Sequence, residues 1–212
     1  MSLLEKYDLF IFDWDNTLSS STAPVNAIHL LKKDFALMYA KTHPDRYRRK
    51  ADVRTMRYVE NEHGIYSTLY DCYTYLFRPG LKRSALKVLK YLKGKKKKVV
   101  VFSDAKKYRL YTETRKSGAT EYLDFELSSE AIRCYKPNPA GLLLLMDRFK
   151  VSKKRTLYLG DMASDVLTAQ FAGIDCCGVA DGLETYEGLK AARARYVFKD
   201  LDSVIEALRQ EH

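Results

Sequence analysis

Two aspartates two positions apart, Asp13 and Asp15, follow directly on the apolar run Leu9-Phe10-Ile11-Phe12 in the segment YDLFIFDWDNTLSS. Driving a buried strand into a pair of like charges is costly unless a cation sits between them, or unless the pair marks only a strand end and an Asx-type turn. Three further polar signals bear on that choice. Ser103-Asp104 follows Val99-Val100-Val101-Phe102, Lys136 lies in YKPNP, and Asp161 and Asp165 lie in LGDMASD after RTLYL. Asp13, Asp161 and Asp165 are hard oxygen ligands of the kind that suits Mg²⁺. Lys136 adds a point charge for a phosphate oxygen. The Ser103 hydroxyl and the backbone N–H groups that follow Asp13 and Ser103, the latter that of Asp104, would cradle the other oxygens. Balancing the charge of a phosphoryl group from several sides is the main catalytic need of phosphoryl transfer.

Such a constellation needs elements that bring distant residues to one edge. From residue 81 onward the chain alternates helical and strand patterns. LKRSALKVLKYLKG puts Leu81, Ala85, Val88, Leu89 and Leu92 on one helical face and stops at Gly94. KVVVFSD reads as a buried strand, KKYRLYTETRKSG as a polar helix and FELSS as a short strand. NPAGLLLLMDRF, SDVLTAQFAG and LETYEGLKAARA read as helices, and RTLYLGD, IDCCGVADG and YVF as strands. DLDSVIEALRQ closes the chain as a helix with Asp200 as its cap. This rhythm predicts an α/β fold, a Rossmann-like doubly wound parallel sheet with helices on both faces. Ligands bind such sheets at the carboxyl ends of the strands, where all four signals lie.

Residues 18–80 break the rhythm. Val25, Ile28, Leu31, Phe35, Met38 and Tyr39 recur at helical spacing, a second helical pattern runs from about Asp45 to Gly64, and IYSTLYDCYTYLF gives a third. The expected organisation is a core of residues 1–17 and 81–212 with a small all-α cap, residues 18–80, inserted after the first strand. HPDRYRRKADVRTMRYVE carries Arg46, Arg48, Arg49, Arg54 and Arg57 among tyrosines; most of these suit a solvated helix face.

A hydrophobic fraction of 46% in 212 residues supports a full core, and no apolar run reaches the roughly 18–20 residues of a membrane span. The N-terminal MSLLEKYDLF lacks the pattern of a secretory signal, so a cytoplasmic location is expected. Cys72, Cys134, Cys176 and Cys177 show no metal or disulfide spacing and read as core thiols, and the four histidines form no ligand set. The net charge of +10, partly from the run Lys93-Gly94-Lys95-Lys96-Lys97-Lys98, favours anionic partners and keeps nucleic acid among the options; the run itself reads as a solvated turn.

FDWDNTL, VVVFSDA, YKPNP and LGDMASD, in that order, resemble the four motifs of the haloacid dehalogenase-like (HAD) hydrolases, and the likeness covers residues 7–17 and 79–209. The helical insert resembles that of phosphoglycolate phosphatase-like members. The resemblance implies that Asp13 is the nucleophile of an aspartyl-phosphate mechanism and that Asp15 serves as acid and then base. It implies that Thr17 braces the loop and that Ser103, Asp104 and Lys136 bind the phosphoryl group. Asp13, Asp161 and the Asp15 carbonyl would ligate Mg²⁺, with Asp165 in support. Asn16 stands where glycine is commonest in the family, and YKPNPAG lacks the acidic residue that often follows the second proline. The expected activity is hydrolysis of a small phosphorylated metabolite by a monomer or dimer. A sugar phosphomutase and a nucleic-acid end-processing phosphatase are the alternatives, while a dehalogenase has no need of Asp15.

Overall fold

The computed structural model describes residues 2–20 and 80–210, and elements are numbered over these. Strands β1 (Leu9–Phe12), β2 (Lys98–Ser103), β3 (Phe125–Ser128), β4 (Thr156–Gly160), β5 (Asp175–Val179) and β6 (Tyr196–Phe198) form one sheet in the order β3-β2-β1-β4-β5-β6. Each neighbouring pair is parallel. The order reverses between β1 and β4, so the crevice of a doubly wound sheet opens beyond the ends of these two strands. This is the architecture expected from the alternating pattern.

Alternation of side chains across the pleat builds two layers. Phe10, Phe12, Val99, Val101, Leu157 and Leu159 face one side, where Ala85, Val88, Leu89 and Leu92 of α2 (Arg83–Gly94) and Val204, Ile205 and Leu208 of α8 (Leu201–Arg209) cover them. Leu9, Ile11, Val100, Phe102 and Tyr158 face the other, under Leu142, Leu145 and Met146 of α5 (Ala140–Phe149) and Val166 and Ala169 of α6 (Ala163–Ala172). β1 is buried on both faces along its whole length, as a central parallel strand must be. Helices α3 (Lys107–Lys116) and α7 (Tyr186–Ala191) complete the crossovers. The Asp200 carboxylate accepts from the Ser203 amide at 2.7 Å and caps α8 as read from the sequence. Two short helices were not read there: α1 (Leu3–Lys6), closed by a Ser2/Glu5 capping box, and α4 (Ser129–Ile132).

The lysine run before β2 is more than a solvated turn. Lys93 pairs with Asp124 at 2.9 Å and Lys97 with Asp8 at 3.2 Å, while Lys95 and Lys96 stay exposed. Cys134, Cys176 and Cys177 are buried. Among the described residues no helix is long and apolar enough to cross a membrane.

Residues 21–79 of the expected cap, with its arginines and Cys72, lie outside the described residues. The segments flanking them lie side by side. Ser19 and Leu81 form an antiparallel bridge, the Ser20 amide donates to Gly80 O at 2.8 Å, and the Lys82 amide donates to Leu18 O at 2.9 Å.

Candidate active site

Asp13 leaves β1 where the strand is locked on both sides: Phe12 pairs with Val101 and Leu159, and the Asp13 amide donates to Leu159 O at 2.8 Å. On this register Ser103 and Asp161 stand one position further along β2 and β4. The sheet therefore sets three of the sequence-derived residues side by side before any loop is considered. Lys136, from the loop between α4 and α5, reaches across to Asp13 Oδ1 and Asp165 Oδ1, each at 2.8 Å.

Asp13, Asp161 and Asp165 are almost wholly buried, and each offers a carboxylate oxygen within 4.8 Å of the others. Their remaining partners are neutral donors. Thr17 donates to Asp161 Oδ1 at 3.0 Å, and the Leu183 amide to Asp161 Oδ2 at 2.8 Å. Tyr158 donates to Asp165 Oδ1 at 2.9 Å and the Met162 amide to Asp165 Oδ2 at 3.0 Å. A Cβ at Gly160 would run into Asp165, and one at Gly182 into Asp161, so glycine at both positions lets backbone close over the carboxylates.

The electrostatics follow from this crowding. Burial raises the Asp13 carboxyl well above the ordinary aspartate range; Lys136 opposes the rise, and Asp165, Asp161 and Asp15 add to it. Burial, then the charge of Asp165, pushes Asp161 up to about 7 against the bonds from Leu183 and Thr17. Lys136 is held cationic: burial favours its neutral form, but Asp13 and Asp165 more than compensate. Three carboxylates against one ammonium formally leave two negative charges in a buried space. The donor set is all oxygen, the excess is that of a divalent ion, and without such an ion the cluster relieves its repulsion by holding protons. The residues present therefore fit a hard divalent cation such as Mg²⁺.

Asp15 sits on the turn Trp14–Leu18, in which Asn16 adopts φ 60°, ψ −15°. Asn is among the few non-glycine residues that take this left-handed conformation readily, which answers the departure seen in the sequence. Lys82 ties the turn down, donating to Asn16 O and pairing with Asp181 at 3.0 Å. The Asp15 carboxylate is gripped by Arg109, whose Nη1 and Nη2 donate to Oδ1 at 2.8 Å and to Oδ2 at 2.5 Å. Arg109 also lies 3.3 Å from Glu113, which accepts from the Trp14 indole at 2.7 Å. Burial raises the Glu113 carboxyl to about 7, with Arg109 and Trp14 holding it back and Asp15 pushing it further up.

Ser103 is buried at the end of β2, its hydroxyl accepting from the Ala105 amide at 3.1 Å. The Asp104 side chain faces elsewhere: Oδ1 accepts from the Ser129 hydroxyl at 2.5 Å and from the Lys136 amide at 3.1 Å. It thus braces the loop that carries Lys136. Arg109, Glu113 and Lys82 were missed in the sequence. The available signal was Arg109 and Glu113 at i,i+4 on the helix that follows Ser103.

The family model of haloacid dehalogenase-like hydrolases matches residues 10–179. A phosphoglycolate phosphatase of Photorhabdus laumondii is 33% identical over 89 residues, covering 41% of this chain and 38% of that protein. The probable phosphatase IndB of Dickeya dadantii is 32% identical over 91 residues, covering 43% and 40%. The chain thus matches about two fifths of the length of these curated relatives. Among solved structures, a protein assigned as a haloacid dehalogenase-like hydrolase from Bacteroides fragilis superimposes with a TM-score of 0.72 at 22% identity, over 94% of this chain and all of its own. A HAD-superfamily hydrolase from Ehrlichia chaffeensis gives 0.61 at 18% identity, over 96% of each chain. These likenesses show the same fold.

Proposed function

The chain belongs to the haloacid dehalogenase-like hydrolase family, and we propose from that premise that it is a phosphoric monoester hydrolase acting on a small phosphorylated metabolite. The observation that carries the reading is the buried cluster of Asp13, Asp161 and Asp165 with Lys136 bonded to Asp13, beside a second carboxylate, Asp15. A dianionic phosphoryl group needs a nucleophile, a cationic contact and a proton carrier, and these residues are of those kinds. The names of the relatives, phosphatase and phosphoglycolate phosphatase, support the same class and make phosphoglycolate the first substrate to try.

In this reading an Asp13 oxygen attacks phosphorus while Asp15 gives its proton to the departing alkoxide oxygen, leaving an aspartyl-phosphate. Asp15, now a base, takes a proton from water as that water attacks phosphorus, which returns Asp13 and frees phosphate. A positioned acid–base of this kind contributes about 10²–10⁴-fold. Lys136 and Ser103 hold phosphoryl oxygens, and Thr17 fixes Asp161. Asp13, Asp161, the Asp15 carbonyl and, in support, Asp165 would hold Mg²⁺, which supplies positive charge where negative charge builds on the phosphoryl oxygens. Residues 18–80 would act as a cap that excludes water from the first step and selects the leaving group; the antiparallel bridge between Ser19 and Leu81 suits an inserted unit. A cytoplasmic monomer or dimer completes the proposal.

The test is a phosphate-release screen over phosphorylated metabolites with Mg²⁺ and with chelator. Release from one or a few esters, lost in chelator, is expected. No release from any ester would overturn the hydrolase reading, and isomer formation from a sugar phosphate without release would make the protein a mutase. Undiminished hydrolysis in excess chelator would remove the metal from the mechanism.

A further inference from the structure

We infer that Arg109 is the positioning residue for Asp15, and that Glu113 in turn positions Arg109. The inference rests on the phosphatase reading above and adds to it two residues of α3. The geometry is a closed ring. Asp15 receives both ends of the Arg109 fork, Arg109 contacts Glu113 one helical turn on, Glu113 accepts the Trp14 indole N–H, and Trp14 is bonded through the chain to Asp15. Helix α3 therefore grips two consecutive side chains of the turn that carries the second aspartate. The side chains of Arg109, Asp15 and Glu113 are 8%, 12% and 7% exposed.

The need for such a grip follows from the chemistry. Asp15 must meet the leaving oxygen and then a water molecule, and neither encounter tolerates a swinging carboxylate. A bidentate guanidinium fixes the plane and rotation of the carboxylate as well as its place, which a lysine ammonium cannot do. α3 begins four residues after Ser103, so the same strand end that presents Ser103 also sets the helix that aims Asp15. Stability alone is a poor reason for the ring, since buried ion pairs often contribute no more than apolar residues of like volume. A direct hold on substrate fits less well, because both terminal nitrogens of Arg109 are already bonded to Asp15.

A double-mutant cycle on the whole chain tests this, with Mg²⁺ and the best alkyl phosphate ester of the screen above as the assay and thermal melts to confirm folding. Arg109→Ala should lower kcat about 10- to 100-fold with KM within about twofold, the size of effect expected of a misdirected group. Arg109→Lys should recover only part of that loss. Asp15→Asn should cost more, and Arg109→Ala placed on top of Asp15→Asn should cost nothing further. Multiplied losses in the double variant, or a raised KM at unchanged kcat, would overturn the assignment and place Arg109 on the substrate or in the fold at large. If Arg109→Ala does not fold, Glu113→Gln, which keeps size and shape, replaces it: a smaller kcat loss, again absorbed by Asp15→Asn, is expected, and an unabsorbed loss or no loss overturns the inference. Wild-type turnover by Asp15→Asn would defeat the acid–base reading, and this inference with it. An Asp15→Asn variant that is slowed but still measurable, and that loses a further 10- to 100-fold when Arg109→Ala is added, defeats this inference alone.

Discussion

The two edges of the sheet hold aspartates in opposite ways. At the amino-terminal edge, Asp8 is clamped by Arg155 at 2.6 and 2.7 Å and by Lys97. Asp175 takes Lys6 at 2.8 Å and Tyr7 at 2.5 Å, and Asp124 takes Lys93 and the Val99 amide. All three carboxyls lie below the ordinary range. For Asp8 the Arg155 bonds lead; for Asp124 and Asp175 burial acts in the other direction and is outweighed, by the Val99 amide and Lys93 in one case and by Lys6 and Tyr7 in the other. At the carboxyl-terminal edge Asp13 and Asp165 share one lysine, Asp161 takes neutral donors, and burial drives Asp13 and Asp161 upward. Satisfied charge fastens the fold at one end. At the other, charge is left over for something that binds.

The sharpest break of this contrast is Asp13→Asn. It should abolish phosphate release while the fold persists, because an amide neither attacks phosphorus usefully nor balances a cation; phosphate release near wild type would sink the nucleophile role. The next effect is on pH and stability without metal. Asp161, raised to about 7, is protonated when folded and ionised when unfolded between pH ~4 and ~7. The unfolded state then binds fewer protons, so this edge loses stability as pH rises through that window, by at most about 4 kcal/mol. The amino-terminal aspartates run the other way: their contribution is present above pH ~4 and fades as pH falls through their lowered values. In chelator, Asp161→Asn should gain stability over wild type at pH 8 and lose that gain at pH 5. Denaturant melts at the two pH values decide it, and an equal difference at both would refute the assignment.

Adding Mg²⁺ should then stabilise the wild type by about 2.7 kcal/mol at a hundredfold excess over Kd. The gain should vanish in Asp161→Ala, as thermal scans would show. Tyr7→Phe at the opposite edge should cost about 1 kcal/mol for the lost bond to Asp175, with kcat and KM unchanged. A change in turnover there would dissolve the division of labour between the edges. Smallest of all, Lys95→Gln with Lys96→Gln should move stability by no more than about 0.5 kcal/mol, whereas loss of Lys93 or Lys97 should be felt.

The sequence made the strand ends legible because each apolar run stops abruptly at its chemical residue: Phe12 at Asp13, Phe102 at Ser103, Gly160 at Asp161. A buried parallel strand has no other place to put a charge, so motif and element announce each other. Asn16 and the Asp200 cap were legible for a similar reason, being local choices made by the backbone. Arg109 and Glu113 were not. KKYRLYTETRKSG has the composition of a solvated helix, and which of its polar faces turns inward depends on how α3 lands on the sheet. Lys93 and Lys97 escaped for the same reason, since their partners Asp124 and Asp8 lie on other segments. The helical spacing read in residues 18–80 falls almost wholly on positions outside the described residues.

Trp14 is the single tryptophan in a chain with sixteen tyrosines. It lies fully buried between Asp13 and Asp15, with its indole N–H committed to Glu113. The protein thus carries its own optical label, excitable at the red edge of the tyrosine band, in the loop that holds Asp13 and Asp15. Any cation, phosphate mimic or substitution that disturbs the turn should register in the emission of one chromophore, with no dye and no competing background from another indole.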